Sequence, residues 1–542
     1  MPEQVTASAD PLKRWVDATF APFQHRIFLV FWSATLISSF GSLIQTVGAS
    51  WMMATISPAA DQVALVQTAA TLPFFFLSLL AGALADTRDR RRIMLASQVA
   101  ALVASALLAV VTLLHWITPG LLLLFTFLIG CTNAFLAPAW QSSIGELVPR
   151  EHIPPAVAAN ALGMNVARSV GPAIGGFIVA AFGAAAAFVA NAVSYVAIIV
   201  TTWRWRPHRP KAELPPETIG TALASGLRYV SLAPQIWKVL GRCALHAIPI
   251  AAVQALAPVV ARDLLGGGAQ TYGVLLAAFG IGAMAGALST ATLRGRISSD
   301  ALLKGLSLGA CISMVGIGQS RWLALTLPCF AIAGAIWALS FANFNVAVQL
   351  SSPRWVVGRM LATYHTTVFA SIALGSWLWG QFAGAFGVAE SLTVAGLASL
   401  VSLLVARRFP VATEGVGPLD PRNTPKLPTP ALALQPTSGP IFVTIEYRIA
   451  DADCDEFALV INEVGRIRRR DGARSWSICQ DIDDPGRWVE RFECPTWVDY
   501  LRWRTRPTVS DERVRDRLAR LVGSDRMQVH RHLSRPEETD FF

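Results

Sequence analysis

Two long apolar runs are joined by the stretch Gly82-Ala83-Leu84-Ala85-Asp86-Thr87-Arg88-Asp89-Arg90-Arg91-Arg92. Its first half is a helix end of small and apolar residues, and its second half is rich in arginine. Positive charge resists transfer across a membrane, so a basic turn between two membrane-length helices is expected to stay on the cytoplasmic side. The stretch therefore predicts a polytopic membrane protein and orients the helices on either side of it.

Composition favours the same class. The 542 residues are 53% hydrophobic and 15% charged, whereas a soluble domain carries about 25% charged residues. The net charge of +10 indicates membrane topology rather than nucleic-acid binding, because the basic residues concentrate in short loops. The seven cysteines show no metal or disulfide spacing, so we expect buried thiols and neither a metal site nor a cofactor.

Twelve apolar segments of membrane length are predicted, six on each side of a basic central loop. The loops alternate between basic and weakly charged, which fixes an even number of spans and places both termini in the cytoplasm. The predicted domains are a six-helix bundle at 1–202, a cytoplasmic loop at 203–237, a second six-helix bundle at 238–408, a proline-rich linker at 409–440 and a soluble domain at 441–542.

An internal repeat relates the two predicted bundles. The offset of 204 residues that maps Gly82 to Gly286 also maps Arg90 to Arg294, Gly171 to Gly375 and Gln141 to Asn345. Because a single offset relates several separate regions, the sequence indicates two parallel six-helix halves related by pseudo-symmetry.

The C-terminal segment has the pattern of a small α+β domain. Residues 441–447 alternate like a half-buried strand, and 453–470 form an amphipathic helical pattern. The remaining predicted elements are strands at 475–481 and 488–493, helices at 497–504 and 511–521, and a strand at 527–533. The order β-α-β-β-α-β predicts a ferredoxin-like layout.

Two motifs carry a family resemblance. Gly82, Leu84, Asp86, Arg90 and Arg91 resemble the signature loop between helices 2 and 3 of the major facilitator superfamily. In helix 5, Gly171-Pro172-Ala173-Ile174-Gly175-Gly176 resembles the antiporter motif of drug-exporting facilitators, with Asn160 and Ala167 at the two earlier glycine positions. Taken together, these motifs make the chain resemble the enterobactin-exporter-like branch of the superfamily, whose members are called transmembrane secretion effectors. The soluble domain at 441–542, hereafter the tail, resembles antibiotic-biosynthesis monooxygenase domains.

The resemblance implies a major facilitator fold and a secondary active transporter of the bacterial cytoplasmic membrane, not an enzyme. It implies export of a small amphiphilic molecule, such as a siderophore, drug or secondary metabolite, by alternating access and with protons as the coupling ion. Domains like the tail usually pair, so a homodimer through the C-terminal domain is expected. The alternative is a membrane-tethered enzyme whose tail is a small-molecule oxygenase.

Charged and small residues near the inner face are the candidate gating elements. Arg168 in helix 5 is expected to pair with Asp86 or Glu146 when the inner gate closes, or else to anchor to lipid headgroups. Arg90 with Glu146 is the expected second pair. The motif residues Gly171, Pro172, Gly175 and Gly176 are expected either to pack helix 5 closely or to hinge it.

Polar residues on helices 1, 4, 7 and 10, which line the cavity in this fold, are the candidate substrate contacts. They are Gln45, Asn133, Gln141, His246, Gln254, Asn343 and Asn345. Each side chain is suited to bind substrate or to bond a neighbouring helix. His246 is a candidate for proton transfer, with a hydrogen-bonded structural histidine as the alternative.

Overall fold

A computed structural model describes residues 21–206, 228–353, 356–410, 430–522 and 527–534. These residues fall into two compact units. The first contains the described residues up to 206, then 240–345 and 362–410, and it is built of helices. The second contains 228–239, 346–353, 356–361 and the described residues from 430 onward. Much of the predicted central loop and of the predicted linker lies outside the described residues.

Six helices form the N-terminal half. Their bounds are Arg26–Ile56 (α1), Ala60–Thr87 (α2), Arg90–Leu113 (α3), Pro119–Leu147 (α4), Ile153–Phe182 (α5) and Ala184–Arg204 (α6). Local signals set their starts: the Asp89 side chain caps α3 by accepting hydrogen bonds from the backbone N–H groups of Arg91 and Arg92. Thr118 caps α4 in the same way, directly before Pro119.

The C-terminal half repeats this plan. Its helices are Pro234–Val259 (α7, extended by a π-helical turn at Val260–Leu264), Ala269–Arg294 (α8), Ser299–Gln319 (α9), Leu323–Leu350 (α10), Val357–Phe386 (α11) and a two-part α12 at Val388–Ser399 and Val401–Arg408. Within the described residues, eleven helices are long and apolar enough to cross a membrane. The one left out is α11, whose polar residues, such as His365 and Gln381, lower its apolar content. Its 30 residues nevertheless extend about 45 Å, more than the bilayer core.

Small residues bring equivalent helices together in both halves. In the N-terminal half, a Cβ atom on Gly130 of α4 would lie 2.8 Å from the carbonyl oxygen of Ala70 in α2. In the C-terminal half, Gly334 of α10 lies 204 positions after Gly130 and packs against the Phe279 carbonyl of α8. Close backbone approach is a principal source of helix association in lipid. The packing of α4 on α2 and of α10 on α8 therefore follows the predicted repeat.

The tail contains a four-stranded antiparallel sheet. Its strands are Ile441–Arg448 (β1), Arg474–Gln480 (β2), Arg487–Cys494 (β3) and Met527–Leu533 (β4), in the order β2-β3-β1-β4. Its helices are Cys454–Asp471 (α13), Trp497–Thr505 (α14) and Val509–Val522 (α15). The predicted β-α-β-β-α-β sequence is present, with the helical region before β4 divided into two helices.

Alternation along β1 separates the two faces of this sheet. Ile441, Val443, Ile445 and Tyr447 are buried in the core with α13 residues such as Phe457. Phe442, on the opposite face, is 41% exposed. Among the described residues, helices cover one face of the sheet, and the face that carries Phe442 is left open.

Candidate functional site

The arginine-rich turn connects the ends of three helices. Nη1 of Arg90 lies 2.6 Å from Oε1 of Glu146, so the predicted pair is present and joins α3 to α4. Arg91 donates from Nε to the carbonyl oxygen of Thr202 at 3.1 Å and also bonds the Trp203 carbonyl, which attaches α3 to the end of α6. The backbone of Asp86 lies in α2, but its side chain is not among the described ones.

Glycines of the helix 5 motif place α5 between two neighbours. A Cβ atom on Gly171 or Gly175 would lie 3.1 Å from Leu43 or Ile44 of α1. A Cβ atom on Gly176 would lie 2.7 Å from the Cα atom of Gly273 in α8. The motif therefore packs α5 closely against α1 within its own half and against α8 of the other half.

Arg168 lies deeper than the sequence suggests. The apolar run in the sequence predicts that helix 5 begins near Ala158, which would place Arg168 close to that end. In the structure α5 begins at Ile153, so Arg168 occupies the middle of a 30-residue helix. Its guanidinium carbon lies 5.2 Å from the centroid of the Trp337 ring in α10, a cation–π contact. Glu146 is paired with Arg90 in this structure. The expectation that Arg168 lies near the membrane interface is thus corrected, because the earlier start of α5 adds more than a turn of helix between Arg168 and the helix end.

Aromatic rings surround that contact. The Trp337 ring packs edge-on against Phe279 of α8 at 6.2 Å and against Phe341 of α10 at 5.1 Å. Ser169, the residue after Arg168, donates to the carbonyl oxygen of Gly280 at 2.9 Å. The backbone at this level of α5 is therefore fixed to α8 while the arginine side chain reaches α10.

The candidate substrate contacts divide by burial. Gln45, His246 and Asn343 are buried at 5%, 0% and 0% exposure. The second group retains accessible surface: Asn133, Gln141, Gln254 and Asn345. Gln45 and Asn133 also line a small polar cavity of about 70 Å³ in the N-terminal half.

Each buried side chain has at least one hydrogen bond to a neighbouring helix; Asn343 Nδ2 donates to the carbonyl oxygen of Ser299 at 3.3 Å, which joins α10 to α9. Gln45 Oε1 accepts from Ser105 Oγ at 2.8 Å and from Asn191 Nδ2 at 2.5 Å, joining α1, α3 and α6. His246 Nε2 lies 2.7 Å from Ser340 Oγ, which joins α7 to α10. These bonds match the alternative that the sequence left open, in which buried polar side chains connect helices.

Arg262 was not among the predicted site residues. It lies in the π-helical turn after α7 and donates to three carbonyl oxygens at the end of α1: Ala54, Ser57 (3.0 Å) and Pro58 (3.0 Å). Nε of Arg262 also lies 2.6 Å from Oδ1 of Asp263. The arginine thus connects the two halves beside a recess of about 700 Å³ lined by Asp61, Arg321 and Glu390, among other residues. A lone arginine in a weakly charged loop gave no sequence signal for this contact.

A second missed group lies inside the C-terminal half. Arg242 of α7 is 1% exposed and forms an ion pair with Asp300 in the first turn of α9. Nζ of Lys304 lies 2.7 Å from the other carboxylate oxygen of Asp300. An arginine four residues before His246 in an apolar helix was a visible signal, since such residues are expensive in lipid and need partners.

The tail contains a fully buried carboxylate. Glu490 of β3 is 0% exposed, and its oxygens accept from Trp476 Nε1 at 2.7 Å, Tyr447 OH at 2.7 Å and Arg468 Nη2 at 3.0 Å. Paired and hydrogen-bonded on both oxygens, this group stabilises the domain core.

The chain segment just before α7 packs into the tail. Tyr229 is 3% exposed, and the guanidinium carbon of Arg470 lies 5.7 Å from its ring centroid. Arg470 also bonds Asp511 at 2.8 Å and its neighbour Asp471 at 2.9 Å. Burial raises the pKa of Asp471 to about 6, while Arg470 opposes that shift. Residues 228–232 therefore complete a charged cluster of the tail.

Known proteins share this architecture. The family model for transmembrane secretion effectors matches residues 17–539. The uncharacterized MFS-type transporter YfiS of Bacillus subtilis is 27% identical over 340 residues, covering 60% of this chain and 79% of that protein. The multidrug efflux pump Tap of Mycobacterium tuberculosis H37Rv is 24% identical and covers 70% and 93%. The enterobactin exporter EntS of Escherichia coli O1:K1 is 26% identical and covers 60% and 80%.

A solved structure shows the same helical arrangement. The bacterial homolog of the human lysosomal transporter Spinster, inward-facing and unoccupied, superposes with a TM-score of 0.57 at 16% identity, covering 72% of this chain and 97% of that one. At that identity the likeness concerns the fold. With the family model matching nearly the whole chain, the protein belongs to the transmembrane secretion effector family of the major facilitator superfamily and is a multi-pass membrane transporter rather than an enzyme.

Proposed function

We propose that this protein exports a small amphiphilic molecule, such as a siderophore, drug or secondary metabolite, from the bacterial cytoplasm by alternating access. The names of its relatives support the direction: one is a multidrug efflux pump and one an enterobactin exporter. The contacts between the N-terminal and C-terminal halves support alternating access. The α2 and α11 helices meet through Ser78 and Thr366, whose hydroxyls lie 2.7 Å apart, while α5 meets α8 at Gly176 and Gly273.

The contacts of Arg262 carry the proposal. They join the α1–α2 turn to the α7–α8 turn and so close one end of the transporter. The positive-inside rule assigns the opposite, arginine-rich end to the cytoplasm, together with both termini. The structure then corresponds to a state closed on the outer side, and export requires these contacts to break in the other state.

The inner gate uses the motif residues. In the outward-open state the turn that carries Gly82, Asp86, Arg90 and Arg91 closes the inner side, with Glu146 as the partner of Arg90. Arg168 lies about four turns from the start of α5, too deep to reach Asp86 beside the end of α2, so this gate does not include it. Asp86→Asn is expected to reduce transport by at least roughly tenfold, the effect of losing about 1.4 kcal/mol of state-specific interaction. Membrane insertion, measured by cysteine labelling of the cytoplasmic turn, should remain normal. Normal transport by Asp86→Asn would contradict the gate.

The substrate binds the candidate polar side chains that retain accessible surface. Asn133 and Gln141 on α4, Gln254 on α7 and Asn345 on α10 retain exposed surface on helices that line the cavity in this fold. Gln45, His246 and Asn343 act mainly as connectors between helices. Proton coupling is part of the proposal, with the family resemblance as its support.

Uptake into inverted membrane vesicles tests the function. Vesicles that contain the protein should accumulate ethidium when a proton gradient is imposed, and an uncoupler should abolish the uptake. Vesicles with Asp86→Asn at equal protein content are the control. Uptake that survives the uncoupler would remove proton coupling, and uptake equal to that of empty vesicles would contradict ethidium export.

The open face of the tail sheet supports homodimerisation. Phe442 on β1 is 41% exposed and pairs across the strands with exposed His532 of β4. The helices of the tail cover the opposite face. Light scattering of the full chain in nanodiscs should give the mass of two chains, and Phe442→Glu should give one. A single-chain mass for the unmodified protein would overturn this part of the proposal.

A further inference from the structure

Arg168 faces the interior of the helical bundles and not the lipid. Helix α5 uses Gly171 and Gly175 to contact α1, and Ser169 and Gly176 to contact α8. Phe177, which is 60% exposed, marks the side that faces away from both neighbours. Nine residues separate Phe177 from Arg168, which is about 2.5 helical turns and places Arg168 on the opposite side. The guanidinium therefore points between the two halves.

The surroundings of this arginine are aromatic. The side chain is exposed, although it lies at the midpoint of a membrane-length helix. The guanidinium carbon lies 5.2 Å from the centroid of the Trp337 ring, and Phe279 and Phe341 flank that ring. A charge at this depth is costly unless a partner compensates it. A guanidinium has a planar N–H fork that binds a carboxylate through two parallel hydrogen bonds, and an aromatic ring does not offer these bonds.

We propose that Arg168 and Trp337 form the subsite for the carboxylate of an aromatic organic anion, which makes Arg168 a determinant of substrate specificity. This inference rests on the proposed export function and specifies its substrate class. The carboxylate binds the guanidinium edge, and the ring of the substrate packs among Trp337, Phe279 and Phe341.

Binding of two matched probes tests the subsite directly. The full-length protein in phosphatidylcholine nanodiscs is titrated with 1-naphthoate and with 1-naphthamide, which has the same ring and nearly the same shape but no charge. The wild-type protein should bind the naphthoate roughly ten- to hundredfold more tightly than the amide, the range expected for a hydrogen-bonded charge. Equal affinities in the wild-type protein would overturn the proposal.

Variants of Arg168 and Trp337 test whether these two residues cause the preference for naphthoate over naphthamide. Arg168→Gln should abolish it, and Arg168→Lys should retain only part of it, because lysine keeps the charge and loses the planar fork. Trp337→Ala should weaken the binding of both probes, and Trp337→Phe should weaken it less. Arg204→Gln, the same charge change in the last turn of α6, is the control and should leave the preference intact. If Arg168→Gln does not fold, the Arg168→Lys and Trp337→Phe results decide.

Two further outcomes separate this inference from its alternatives. Equal binding of naphthoate and naphthamide in phosphatidylglycerol nanodiscs, with the preference present only in phosphatidylcholine, would assign the guanidinium to lipid phosphate and overturn the substrate role. Ethidium uptake in vesicles tests export separately. A protein that transports ethidium without preferring naphthoate refutes the subsite alone, and a preference without vesicle uptake of either probe or ethidium refutes the export function alone.

Discussion

Gly176 in α5 and Gly273 in α8 face each other so closely that a Cβ atom on either would lie within 2.8 Å of the other's Cα atom. Gly176→Val should therefore force the two halves apart at this crossing. We expect a loss of about 1–3 kcal/mol in stability, the usual cost of overpacking, and at least a tenfold fall in vesicle uptake. Thermal unfolding and uptake at equal protein content measure the two effects.

The matched control is Gly305→Ala in α9, where an added Cβ atom would meet nothing within 4 Å. It should leave both uptake and unfolding temperature close to those of the unmodified protein. Wild-type uptake by Gly176→Val would show that the α5–α8 contact is not required for the cycle.

The ion pair between Arg90 and Glu146 should contribute little to stability. The two side chains are 30% and 22% exposed, and partly exposed pairs contribute about 0–1 kcal/mol. Glu146→Gln should lower the unfolding free energy by less than about 1 kcal/mol. In a double-mutant cycle with Arg90→Gln, the coupling energy should be equally small. A coupling of several kcal/mol would mean that the pair is desolvated in the membrane.

Removal of Arg262 should loosen the contact between the α1–α2 turn and the α7–α8 turn. Arg262→Ala deletes the donors to the carbonyl oxygens of Ala54, Ser57 and Pro58. Ser57 is 5% exposed, so a cysteine at this position should react slowly with a membrane-impermeant maleimide. We expect Arg262→Ala to speed that reaction at least roughly tenfold, because a lost charged hydrogen bond costs roughly 1.5–3 kcal/mol and about 1.4 kcal/mol is a tenfold change.

Arg321→Ala is the control for that measurement. Arg321 lies on the same recess but donates to the carbonyl oxygens of Gly318 and Ser320, in its own stretch of chain. Its removal should leave the labelling rate at position 57 unchanged. An equal rise in both variants would show that loss of any arginine at this end loosens it.

Much of the helical architecture follows from the sequence because its signals are local. Apolar runs of membrane length predict the helices, and the offset that relates Gly130 to Gly334 predicts the equivalent packing of α4 and α10. The Arg90–Glu146 pair also follows from a motif. In the tail, the alternation of Ile441, Val443 and Ile445 shows which face of β1 is buried.

The remaining features depend on contacts between distant parts of the chain. The apolar run predicts a start of helix 5 near Ala158, but α5 begins at Ile153, because proline is well tolerated in a first helical turn. The later predicted start would place Arg168 nearer the end of the helix. The partners of Arg262 and Arg242 are brought in by packing between helices, which no local pattern records.

Acidification should stabilise the tail through Asp471. Burial raises its pKa in the folded chain to about 6 from the ordinary 3.8. The folded state therefore binds this proton more tightly than the unfolded state does, so the contribution is present at low pH and is lost as pH rises through 6. The full effect is at most about 3 kcal/mol. Pulse proteolysis of the tail in urea, with the full-length protein, should show greater resistance at pH 5 than at pH 7.

Asp471→Asn is the variant that isolates this effect. It keeps the shape of the side chain and removes its titration, so the difference between pH 5 and pH 7 should shrink relative to the unmodified protein. An unchanged difference in Asp471→Asn would assign the pH dependence to another group.

The burial of Tyr229 against Arg470 also bears on how the protein is made. Tyr229 leaves the ribosome about 240 residues before its partner, a delay of roughly 10–50 s at ordinary rates of synthesis. During that interval six further helices must insert while the segment ahead of them still lacks its binding surface. Completion of the tail is thus the last step of assembly, and a chain truncated before it would leave an aromatic side chain exposed to quality-control proteases.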